Sequence, residues 1–148
     1  MNNFMNYKII AEKKLILEYY SGIISIQDLI NNKSNIIKEK EYDANYNIIH
    51  DFRDAQILIS EEEGQHFYDL LKNEIKFHKK RRVAHLTQTP DQVAKTTLFT
   101  LLVDTSLFDV NTFSTLKAAL TWVRLSIEDY NLIETYLNEI KNNKGGKS

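Results

Sequence analysis

The chain has 148 residues, 43% hydrophobic and 26% charged, which suits an ordinary globular protein with one buried core. A formal net charge of −1 supplies no global field to recruit nucleic acid, and the lack of cysteine excludes disulfides and thiolate chemistry. No apolar run approaches the ~20 residues of a membrane span, and "MNNFMNYKII" lacks a secretory h-region, so a cytoplasmic protein is expected. One proline and four glycines argue against linkers, which predicts a single domain over 1–142 and a flexible tail over 143–148.

"YKIIAEKKLILEYYSG" predicts two strands, about 7–12 and 14–20, rich in β-branched and aromatic residues, the second broken at Gly22. Ser25 and Asp28 form a capping-box pair, and Ile26, Leu29, Ile30, Lys33 and Ile37 keep helical spacing, so a helix should run to about Glu39. In "YNIIHDF", Ile48, Ile49 and Phe52 suggest a strand buried on both faces, as in a parallel sheet. Ser60 before Glu61, Glu62 and Glu63 is a helix start, because the hydroxyl caps and the acids complement the dipole. Phe67, Leu70, Leu71 and Ile75 form that helix's apolar stripe. "RRVAHLTQ" is the fourth strand. Thr89, Pro90 and Asp91 open the next helix, with Val93, Leu98, Leu101 and Leu102 expected to face the core. "LFDVNTF" is the fifth strand. Ser114 is expected to cap "TLKAALTWVRL", whose Trp122 should be largely buried, and Ser126 with Asp129 starts a last helix from Ile127 to about Asn142.

The order β-β-α-β-α-β-α-β-α-α requires a mostly parallel sheet of about five strands with one antiparallel strand from the opening hairpin. If helices crowd onto one face, the other, with Tyr19, Tyr20, His50, His85 and Phe108 or Asp109, needs a cover. The stripe Ile127, Tyr130, Ile133, Leu137 and Ile140 must fold back on that face or pair with a second copy. A homodimer is the preferred expectation, because symmetric dimers are the commonest oligomers.

Four stretches appear in order: "EYYSGIISIQDL", "YNIIHDFRDA", "RRVAHLTQTPDQ" and "NTFSTLKAALTWV". From Tyr7 to Val123 the chain resembles the SpoIIAA-like proteins, also described as STAS-like or STAS/SEC14-like bacterial domains. The closing Phe-x-Thr-x-x-x-Ala-x-x-Trp pattern falls on Phe113, Thr115, Ala119 and Trp122. The resemblance implies an α/β fold with strands in sequence order, right-handed crossovers and most helices on one face. Its STAS side implies a non-enzymatic interaction or regulatory module, with a protein partner or a second copy of the chain. Its SEC14-like side implies binding of a small apolar or lipid-like ligand. STAS antagonists of anti-sigma factors carry a phosphorylatable serine in an Asp-Ser-Ser/Thr-Gly motif. Here "LISEEEG" lacks that motif, although Ser60 stands near the same place.

Asp51, Arg53 and Asp54 are placed at the carboxyl end of a parallel strand, where open α/β sheets bind ligands. They form the tentative ligand or partner site, together with Ser60, Thr87 and Thr89. The plainer reading is an ion pair that fixes a loop. An enzyme using this end of the sheet is the least favoured function. His50 and His85 should face each other across adjacent strands. No HExxH or i,i+4 pair makes them metal ligands, so neither metal nor cofactor is expected. The basic run "HKKRR", His78 to Arg82, reads as a helix end with cations at its carbonyl terminus rather than as a phosphate contact. Thr89 and the helix N-terminus after it offer N–H groups to an anion, but Asp91 opposes that and a capped helix is preferred. No GxSxG elbow or glycine-rich phosphate loop is present.

Overall fold

Strand β1 (Phe4–Ile10) turns through a short 3-10 segment into β2 (Leu15–Ile24), and the two pair antiparallel. The computed structural model describes residues 3–74 and 80–143. It continues with α1 (Ile26–Ile37), β3 (Asn47–Ile57), α2 (Glu61–Glu74), β4 (Arg81–Leu86), α3 (Pro90–Leu102), β5 (Phe108–Phe113), α4 (Leu116–Trp122) and α5 (Tyr130–Asn142). The sheet order is β1-β2-β3-β4-β5, and β2 to β5 are parallel, so "YNIIHDF" lies between "LILEYY" and "RRVAHL" as expected. Ile75, His78, Lys79 and most of the expected tail lie outside the described residues.

Local chemistry sets the element starts. Ser25 with Asp28, Ser60 with Glu63, Thr89 with Gln92 and Ser126 with Asp129 exchange side-chain and backbone bonds at helix N-termini. Each such cap is worth about 1 kcal/mol. Helix α4 starts one residue later than its sequence suggests: Thr115, not Ser114, accepts the N–H of Ala118, at 3.2 Å. Gly22 does not end β2. It takes φ 81°, which glycine adopts without penalty, and a bulge between Tyr19 and Ser21 lets the strand run on to Ile24 beside Ile57.

Two cores flank the sheet. Helices α1, α2 and α3 pack on one face over Ile16, Tyr20, Ile48, Phe52, Val83 and Phe108. Helices α4 and α5 cover the other over Leu15, Leu17, Tyr19, Ile49, Ala84 and Leu86. The expected single open face is therefore corrected. Tyr19 and Tyr20 are neighbours in a strand and point to opposite sides, and His50, His85 and Phe108 lie with Tyr20 under the first three helices. The cover of the other face comes from the chain itself. Ile133, Leu137 and Ile140 are buried there, and Asn6 Nδ2 donates to Ile140 O at 3.2 Å. Folding back is thus the arrangement adopted, and this stripe no longer calls for a second copy. Ile127, counted in the stripe, is exposed.

Helix α3 turns a different face inward than its leucines suggest. Gln92, Thr96 and Phe99 are buried, whereas Val93, Leu98 and Leu101 are exposed, Leu101 at 75%. The cause is the length of β3. It outruns β4, whose pairing ends at Leu86 opposite Asp51, and leaves strand carbonyls without a ladder partner. Gln92 Nε2 donates to the carbonyls of Arg53 (3.0 Å) and Ala55 (2.9 Å), and Lys95 Nζ donates to that of Ile57 (2.8 Å). Those bonds fix the rotation of α3 against its own hydrophobic pattern. Trp122 is half-buried rather than enclosed. Its indole N–H donates to Val83 O at 3.1 Å, and the Arg82 guanidinium stands 4.4 Å above its ring.

Candidate functional site

The most polar part of the interior lies between the sheet and α1. Parallel register sets Glu18 opposite His50 and His50 opposite His85. Helix α1 delivers Lys33 from its buried face, one turn after Leu29. Lys33 Nζ forms a short ion pair with Glu18 Oε2 and lies 2.7 Å from His50 Nε2. The other Glu18 oxygen accepts from the Tyr20 hydroxyl, which in turn accepts from Asn32 Nδ2 at 3.1 Å. His50 Nδ1 and His85 Nδ1 are 3.2 Å apart in stacked rings with centroids 5.1 Å apart. All six side chains are buried.

The donor pattern runs one way. An ammonium on Lys33 donates to both Glu18 and His50 Nε2, so His50 carries its proton on Nδ1 and passes a hydrogen bond to His85 Nδ1. His85 then holds its proton on Nε2, and that buried nitrogen has no partner. Burial disfavours the Glu18 anion, yet the charge of Lys33, with His50, outweighs it and holds the carboxyl below its ordinary value. Burial lowers Lys33, with Glu18 opposing the shift. Burial and then Lys33 lower His50, while burial and then His50 push His85 well below the usual imidazole value. The Tyr20 hydroxyl is raised well above normal by burial and by Glu18.

A pH dependence follows. A histidine whose folded pKa is depressed binds fewer protons folded than unfolded. Stability therefore rises with pH up to about 6.5 and is lost as pH falls toward the folded values. We expect urea midpoints to drop between about pH 6.5 and 5, and the His85→Gln variant to flatten that slope. A midpoint independent of pH in this window would show that the pair is exposed to protons.

Two cavities flank the relay. One, of about 40 Å³, is bounded by Glu18, Lys33, His50, Tyr68, Arg81 and Phe108. The other, of about 20 Å³, lies over His85, Phe52 and Phe99. Arg81, from the basic run, is buried as the first residue of β4 instead of ending a helix. Among the described residues no three His, Asp or Glu side chains group as a metal site.

The residues singled out from sequence fall elsewhere. Asp51 and Arg53 lie inside β3, not at its end, because the bulged β2 carries pairing on to Ile57. Strand alternation sends Asp51 to the face opposite His50. Its carboxylate takes three bonds from Arg53, from Nε and Nη2 at 2.9 Å each and from the backbone N–H at 3.1 Å. Asp54 accepts from Tyr19 Oη at 2.6 Å. Thr87 is buried, with its N–H donating to Phe113 O at 2.9 Å, and Thr89 caps α3. Gln92 links this group by bonding both Thr89 N and Arg53 O. Ser60 stands apart: it exchanges two hydrogen bonds with Glu63, and its carbonyl accepts from the N–H of Gly64. The cluster is a satisfied network at one end of the sheet, whereas Glu18, Tyr20, Asn32, Lys33 and Arg81 were missed. One signal was present: Lys33 occupies an apolar position of α1 in the sequence pattern.

No family model and no curated protein matches this sequence. Among solved structures, the chain is similar to an uncharacterised protein of the DUF3478 family with a SpoIIAA-like fold, from Shewanella loihica PV-4. The two share 14% identity at a TM-score of 0.55, over 82% of this chain and 94% of that one. The fold of this chain is accordingly SpoIIAA-like. Among the described residues no helix is long and apolar enough to cross a membrane.

Proposed function

We propose that this chain is a non-enzymatic module that binds a small molecule between the sheet and helices α1 and α2. The observation that carries this reading is a cavity lined by charged and aromatic groups together: Glu18, Arg81 and Phe108 from the strands, Lys33 from α1 and Tyr68 from α2. Binding sites combine mostly apolar walls with a few converging polar groups in this way. The volume of about 40 Å³ admits only a few heavy atoms, so a larger ligand requires α2 to move away from the sheet. Catalysis by Asp51, Arg53 and Asp54 gains no support. The Asp51 carboxylate is fully buried and held by Arg53, so in this arrangement it is out of a substrate's reach.

The test is native mass spectrometry of protein purified from its own host, for wild type and for Val83→Phe, which fills the cavity. A small molecule bound one to one in wild type and lost from folded Val83→Phe is the expected result. Wild type that carries nothing would count against the reading. A second reading, a docking module for a protein, draws on the bare apolar side chains Val93, Leu98 and Leu101 of α3. A stoichiometric protein partner in the same spectra, released by Leu101→Asp, would favour it.

A further inference from the structure

We infer that the larger cavity is an acid-binding site in which Arg81 receives the carboxylate of a small monocarboxylic acid. This rests on the small-molecule reading above and names the chemistry of its ligand. Arg81 is only 2% exposed. Its Nε donates to Tyr46 O at 2.8 Å and its Nη1 to Tyr42 Oη at 3.2 Å, while Nη2 is buried with no partner. Among the described residues no carboxylate forms an ion pair with it. Glu18 cannot serve, because its two oxygens are taken by Lys33 and Tyr20.

Charge then selects the ligand. Lys33 cancels Glu18, and burial keeps both histidines neutral, so among the described residues one buried positive charge, on Arg81, stays without a counter-ion. An unpaired buried charge is costly, and a monoanion removes that cost where a dianion would reverse it. A carboxylate matches the planar donor fork of guanidinium, and Lys33 lies on the wall of the same cavity. Phe67, Tyr68, Leu71, Val83 and Phe108 supply the rest of the lining, which suits carbon rather than further polar groups.

The acid has two sources, a free short acid or an acyl chain, and the experiment separates them. Full-length protein labelled with 15N-arginine is titrated with sodium acetate, sodium octanoate and octanamide at constant ionic strength. Arginine Nε–H resonances and the melting temperature are followed. A carboxylate should shift the Arg81 signal and raise the melting temperature saturably, and octanamide should do neither. Equal potency of acetate and octanoate identifies a short acid; octanoate acting at about one-tenth the concentration or less identifies an acyl chain. Arg81→Met replaces an unpaired buried charge by an apolar side chain and should fold, with affinity for the carboxylate reduced about tenfold or more. Should it not fold, the wild-type Arg81 resonance decides alone. Equal response to octanoate and octanamide, or undiminished affinity in Arg81→Met, overturns the acid assignment and leaves small-molecule binding standing. No response to any of the three also overturns it, and the host-purified protein then judges small-molecule binding separately.

Discussion

Replacing Lys33 by methionine is expected to lower the free energy of unfolding by about 3–5 kcal/mol, because it strands the Glu18 carboxylate in the core without a counter-ion. Glu18 is fully buried, and its remaining hydrogen bond would be the one from the Tyr20 hydroxyl. The double variant Glu18→Leu with Lys33→Met should recover most of that loss, since an apolar pair removes both desolvation costs together. Urea titration of the three variants closes the cycle. A loss below about 1 kcal/mol for Lys33→Met alone would place the pair in contact with water, where exposed ion pairs contribute that little. The same titration reports on His50, which loses its donor at Nε2 when Lys33 is removed.

Deleting all residues after Ser126 should leave a chain with no cooperative unfolding transition. Helix α5 contributes Ile133, Leu137 and Ile140 to the core on its face of the sheet. At about 1.5–3 kcal/mol for each buried aliphatic side chain, that is roughly 5–9 kcal/mol out of a typical total of 5–15. Removal would also bare Leu17 and Tyr19 of β2, a long apolar strand surface open to aggregation. Leu137→Glu should act in the same direction in the full chain, while light scattering on wild type should give a monomer. A truncated chain that stays folded and monomeric would show that α5 is an accessory and not a wall of the core.

Helix starts and strand order were legible because they depend on residues close in sequence. Ser25 with Asp28 and Ser126 with Asp129 sit three residues apart, within reach of one turn. Strands joined by single helices leave few ways to order a parallel sheet. The stripe of α5 was legible as a surface needing cover, though not what would cover it. The Asp51, Arg53 and Asp54 cluster was legible as an ion pair, though not that the pair of Asp51 and Arg53 lies within β3 instead of fixing a loop.

What the sequence determined by itself was therefore the list of elements, their caps and their succession. Only the tertiary structure decided which faces meet. Lys33 meets Glu18 across 15 positions and His50 across 17, through the register of β2 with β3 and the docking of α1. Arg81 looked like part of a basic helix end until β4 carried it under α1 and α2. Helix α3 looked amphipathic about its leucines until the unpaired carbonyls of β3 claimed Gln92 and Lys95. In each case the fold decided which polar groups are buried and what lies beside them, and such neighbours are set by distance in space, which local pattern does not encode.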